Sequence, residues 1–401
     1  MPIVQRYSID RGRQSEMDKT GTGTATIVMV DTNGSLDPAS SSADYDPMTP
    51  VAIALTNPVT SVSSPIFTGH VARWGYDVYE TERLGFATIE CVDSMDVFAN
   101  AEMVPGAYGD APSAAAEGDI VYDLDGQVKN RIDQVLDDVG WPVGNREVFT
   151  GNVRVKGKVY APNQPALNAI TDAADAEFPS VANFYMQKNG YATFHGRLAR
   201  FNPTDAQYHI TTWAVGDMAA VTADSTRAVI SGLDYDRDKD RIVNSGLAYP
   251  EEIDDTLIEA QRYTDATSIS DFGTRSWSAE NLLTDYGWLT GNTDLLETRL
   301  FAKYHVENYK RPQTRVNRIT FKSVPPTNAY ATRVWALLCG IDISDRIQLT
   351  TTHHGGASGF NGYHFVEGLH YRVEPMAAGY MNVTLDVDVS PAAYYTTLPA
   401  S

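Results

Sequence analysis

Short apolar runs alternating with polar positions, each bounded by turn-forming residues, dominate the first hundred positions of the chain. Residues 24–30 (TATIVMV), 51–55, 66–74 and 85–92 carry β-branched and aromatic side chains at a spacing of two, the pattern of half-buried strands. Asn33-Gly34 and the charged segment 80–83 supply turns between them, and Met95 to Phe98 begins a short apolar helix. Strands this short and closely spaced predict a small barrel or sandwich rather than βαβ units. Residues 1–104 are therefore expected to form a first β-barrel.

The period then changes. Residues 105–117 are rich in Gly, Ala and Pro, as in a linker. Val128, Ile132, Val135, Leu136 and Val139 fall at helical spacing before Gly140 and Pro142. A second helix, opened by Asn163 and Pro165 and closed by Pro179, has Leu167, Ile170, Ala174 and Phe178 on its inner face. Residues 181–187 and 191–197 flank Asn189-Gly190, a strong hairpin signal. Residues 229–235 and 241–248 predict another hairpin across an acidic turn, residues 276–289 and 293–309 predict helices, and strands return at 314–323, 346–351, 363–373 and 379–389.

An internal echo emerges from these runs. The strands at 51–55, 67–71 and 88–91 parallel those at 347–349, 365–369 and 384–387, with loops of different length. The stretch 65–103 and the stretch 364–390 thus read as two related β-modules.

Charge and cysteine content narrow the partners. The 401-residue chain has 31 Lys plus Arg against 51 Asp plus Glu, a net charge of −20. With no basic block, it offers no surface for displacing counterions from duplex DNA. Cys91 and Cys339 each sit in an apolar run and are expected to be buried free thiols. No window reaches the ~18 apolar residues of a membrane span, so the chain is expected to be soluble when made.

Candidate chemistry is sparse. Residues 234–240 (DYDRDKD) alternate acids like a calcium loop, but Lys239 and Ser245 stand where that loop needs Gly and Glu. His353, His354, His364 and His370 lie close in sequence without a carboxylate or Cys at metal-ligand spacing. Residues 355–359 (GGASG) lack the nucleophile-elbow pattern, and residues 20–24 lack a P-loop lysine. The acid pairs Glu251-Glu252 and Asp254-Asp255 could serve hydrolysis only at a suitable separation in space. No catalytic, cofactor-binding or metal-binding residue is assigned, and no cofactor is expected. The 22 tyrosines and six tryptophans suit protein or carbohydrate contacts as well as core packing.

The series SIDRGRQSEMDKTGTGTATIVMVDTNGSLDP, then IFTGHVARWGYDV, then ATIECVDSMDVFANAEM, resembles the minor tail proteins of long-tailed phages that infect actinobacteria. These are similar to the baseplate hub proteins of contractile tails. The resemblance continues through SISDFGTRSW at residues 268–277 and spans nearly the whole chain.

It implies a mixed, mainly β fold: two tandem tail-tube-like β-barrels with an intervening α+β domain. The domains would be residues 1–104 for the first barrel, 105–117 for the linker, 118–225 plus 251–312 for the α+β domain, 226–250 plus 313–390 for the second barrel, and 391–401 for a tail. It further implies a non-enzymatic virion protein at the tail tip, assembled in the host cytoplasm. That protein would be a homotrimer contacting the distal tail or tube protein, the tape measure protein and tip fibres, with DNA passing through without specific binding. A receptor- or carbohydrate-binding tail protein is the alternative function, and a cell-wall-degrading enzyme a third.

Overall fold

In IVQRYSIDRG, Tyr7, Ile9 and Arg11 turn to one side and are buried, while Arg6 and Asp10 face solvent. This alternation makes β1 (Ile3–Gly12), which pairs antiparallel with β2 (Gly21–Asp31). The same alternation builds β3 (Pro50–Thr56), β4 (Ser63–Tyr79) and β5 (Leu84–Val92). Later come β6 (Thr212–Gly216), β7 (Ala228–Val229), β8 (Gly232–Asp236), β9 (Arg315–Lys322), β10 (Arg346–Thr350), β11 (Asn361–Pro375) and β12 (Met381–Pro391). In this computed structural model these twelve strands form one curled half-barrel sheet, and the protein is mainly β. The structure describes residues 3–39, 45–79, 84–103, 127–160, 163–251, 253–284, 287, 294–352, 359–375 and 380–395, and the backbone of 120–122 and 126. The expected turn at 80–83, the linker at 105–117, Glu252, Tyr286, His353, His354 and residues 355–358 lie outside the described residues.

Strand order shows the repeat that the sequence echo pointed to. In the first half it runs β3-β4-β5-β2-β1, and in the second β10-β11-β12-β9-β8, every neighbour antiparallel. The correspondence extends to irregularities. The backbone of Val71 bonds to Met48 and Thr49, and that of Val366 bonds to Ser344 and Asp345. Immediately after each valine the register slips against the next strand. Val71 pairs with Cys91 as Val366 pairs with Val389, so these residues are equivalent. The sequence echo had the strand order right but its register wrong: it matched Thr88 to Thr384, whereas the ladder matches Thr88 to Asp386. The bulges fix the register, and similarity between alternating strands does not.

The helix Ala331–Gly340 fills the concavity, touching β4 of the first half and β7 and β9 of the second. Trp335 is fully buried and donates its indole N–H to Val324 O, 2.8 Å away. The helices Val128–Asp138 and Ala166–Glu177 lie where their apolar spacing predicts them. They enclose a second core around Ile132, Ile170, Phe184 and Phe194. The expected hairpin forms from Asn183–Met186 and Ala192–His195, with Gly190 at φ 87° in the turn.

Two expectations fail. The segment beginning at Ser276 is a strand, Ser276–Leu282, rather than a helix, because it pairs in parallel with Ser245–Pro250, with Ala279 and Leu282 buried. That pairing also dissolves the expected hairpin at 229–248. Its first arm, β8, goes to β9, and its second joins a separate three-stranded sheet with Tyr263–Thr264 and Ser276–Leu282. The helix expected over 293–309 covers Arg299–Tyr309.

Candidate functional site: the seam between the two halves

The long strand β11 has β12 along one edge, while the other is shared. Residues 361–365 take β10, and residues 368–373 take β1, from Gly12–Gly368 to Tyr7–Val373. The residue at the changeover is Glu367. It is fully buried, an acid in the otherwise apolar run HFVEGL.

Glu367 accepts hydrogen bonds from Arg13 Nε at 2.8 Å, Arg200 at 2.7 and 3.0 Å, and Ser390 Oγ at 2.5 Å. Arg13 comes from the loop after β1, Arg200 from the short helix Arg197–Phe201, and Ser390 from β12. Burial disfavours the Glu367 carboxylate, but the two guanidiniums outweigh it and hold its pKa down at about 2. Arg200 also lies over the Phe365 ring, 4.4 Å from its centre. Gly12 sits at φ 92°, and a Cβ there would stand 2.2 Å from Glu367 O, so the approach of β1 to the changeover requires glycine.

A second buried junction lies nearby. Arg11 bonds to Met186 O at 2.7 Å and to Asp342 at 2.9 Å. Asp342 also accepts from Lys188 N at 2.9 Å. Asp345 accepts from Trp213 Nε1 and Thr211 N, and burial raises its pKa to about 7 against these bonds. One cation from the first half thus holds the hairpin of the middle segment and the loop before β10.

On the opposite face of the sheet a polar row crosses the seam. A single row runs Lys322, Thr384, Arg372, Ser8, Thr26, Glu90, Arg73 from β9 to β4. Beside it His370 bridges Asp10 and Asp388, each 2.8 Å away, and Asp388 also takes Arg318 at 2.7 Å. Both ring nitrogens therefore donate, and the bonds to Asp388 and Asp10, partly offset by burial, raise the His370 pKa.

The chemistry that the sequence raised does not converge. His364 is buried on β11 with its pKa lowered by burial to about 4, six positions from His370 and on the order of 20 Å away along the strand. Among the described residues no group of three His, Cys, Asp or Glu side chains could hold a metal ion. Asp234 and Asp236 lie in β8, Glu251 meets Lys158, and Asp254 caps the helix Asp255–Ile258. Thr20 bonds to Asn183, and Gly23 N donates to Asp93. His70 lies 3.4 Å from Asp96. Cys91 and Cys339 are free and buried, their thiols pushed up to about 11 by burial. The Glu367 cluster escaped sequence reading, although a lone acid in an apolar strand was its signal.

No family model matches the chain, and no curated protein matches it by sequence. Solved structures do match. The tail protein from Neisseria meningitidis MC58 superposes with a TM-score of 0.54 at 11% identity, over 99% of this chain and 95% of that one. A component of the E. coli type VI secretion system, described as structurally similar to the T4 bacteriophage tail proteins gp27 and gp5, superposes with a TM-score of 0.51 at 7% identity, over 100% of this chain and 77% of that one. The chain shares its fold with these phage tail and tail-like proteins. Since the match runs end to end, both halves and the middle segment belong to that fold.

Proposed function

We propose that this protein is a structural hub of a phage tail tip. In this reading it is a homotrimer whose two barrel units per chain present six similar faces, so that a threefold tip caps a sixfold tail tube. The observation that carries the reading is the repeated strand order of the two halves, with a register slip after Val71 matched by one after Val366, within one continuous sheet. A ring of quasi-equivalent units needs this repeat, whereas a lone binding module does not.

The ring joins the distal tail or tube protein to tip fibres and encloses the path of the tape measure and DNA. The polar row that crosses the seam suits a channel wall, and the chain's net charge of −20 opposes sticking of nucleic acid. The role is assembly and gating rather than catalysis. Electron microscopy of the purified protein and of isolated tail tips tests it: a threefold ring with six similar lobes on the tail axis is expected. A stable monomer absent from the axis overturns it, as does hydrolysis of peptidoglycan by the pure chain for the non-catalytic part.

A further inference from the structure

Within the chain, β1 covers the half of β11 that β10 leaves open. The equivalent half of β4 lies beyond Val71, where β3 and the segment before it stop, and no described strand runs along residues 72–79 on that side. The equivalent of β1 is β8, which has β9 along one edge and no described strand along the other. One chain therefore carries one filled seam and the two halves of a second.

We propose that β8 of one copy docks antiparallel along residues 72–79 of the next copy, repeating between chains the β1–β11 seam found within each. This rests on the ring reading above and names the edges that close it.

The ladder fixes the register. Ile27 pairs with Tyr7 and Ile89, and Ile319 pairs with Leu233 and Val387. Ile89 and Val387 are equivalent through their partners Trp74 and Leu369, three residues after Val71 and Val366. Leu233 is thus the counterpart of Tyr7, and Asp234 of Ser8. Along the other edge Val78 is the counterpart of Val373, and Asp77 of Arg372. Since Tyr7 faces Val373 and Ser8 faces Arg372, the new seam sets Leu233 against Val78 and Asp234 against Asp77.

Burial supports the match independently. Val373 is 1% exposed because β1 lies beside it, whereas Val78 is 62% exposed. An apolar side chain left open where its counterpart is covered marks an edge built to be covered. The facing acids Asp234 and Asp77 oppose association, since like charges directly across a ladder repel. The inner seam has Arg372 at that place instead, bonded to Asp386.

The test uses the full chain carrying Leu233→Cys and Val78→Cys. The native thiols are buried and do not compete. After treatment with an oxidant, a covalent trimer on a non-reducing gel is expected from the double variant and from neither single one. Leu233→Cys with Ala54→Cys, on the edge of β3, is expected to give none. In native mass spectrometry Val78→Lys is expected to weaken trimer formation at least tenfold, and Asp77→Arg to strengthen it. A trimer that resists the 233–78 cross-link, or that cross-links through residue 54, overturns the seam and leaves the hub reading standing. A wild-type chain that stays monomeric at every concentration overturns the hub reading and the seam with it.

Discussion

Replacing Glu367 by Gln removes the charge at the changeover of β11 while keeping its size. Arg13 and Arg200, both buried, then face a neutral amide that accepts through one oxygen, where the carboxylate accepted four bonds through two. Holding the carboxyl at about 2 rather than 4.5 corresponds to about 3 kcal/mol at 1.36 kcal/mol per pKa unit. Breaking a buried ion pair by removing one partner costs about 3–5 kcal/mol, so the two routes agree. Urea unfolding followed by tryptophan fluorescence at pH 7 should show Glu367→Gln less stable by that amount. The sign with pH follows from the lowered pKa. The contribution is complete above the unfolded value near 4.5 and is lost as pH falls towards 2, so the gap between wild type and variant should narrow below pH 4.5. A variant within about 1 kcal/mol of wild type at pH 7 would refute the claim that this carboxylate holds the two halves and the Arg200 helix together.

Gly12→Ala places a methyl 2.2 Å from Glu367 O at a positive φ and should cost at least about 1–3 kcal/mol; hydrogen exchange should report opening of the β1–β11 ladder before that of β2–β5. His370→Ala should cost about 1 kcal/mol at pH 6 and little at pH 9. The raised pKa of His370 makes its bridge between Asp10 and Asp388 complete below 6.5 and lost as pH rises through the folded value, and parallel unfolding curves at both pH values check this. An equal loss at the two pH values would mean that packing, not charge, is at stake there.

The sequence by itself determined most strands and their faces, because a spacing of two puts one set of side chains towards the core and depends only on neighbours along the chain. β2, β3, β4 and β5 follow directly, as do the two helices of the second core and the Asn189-Gly190 turn. The notion of a repeat was legible too, since the same run of strands occurs twice. Which edges meet was decided only by the tertiary structure. The segment 276–289, with Leu282, Leu283 and Tyr286, looks helical until Ser245–Pro250 lies beside its first half, and 229–248 looks like a hairpin until β8 finds β9, some 80 residues further along. Glu367 shows in sequence only as a lone acid in a largely apolar strand, and it becomes the keystone only where β10 ends, β1 begins, and Arg13 and Arg200 arrive from distant segments. Side-chain periodicity is local, whereas the choice of strand partner and the cost of a buried charge depend on contacts that close long loops.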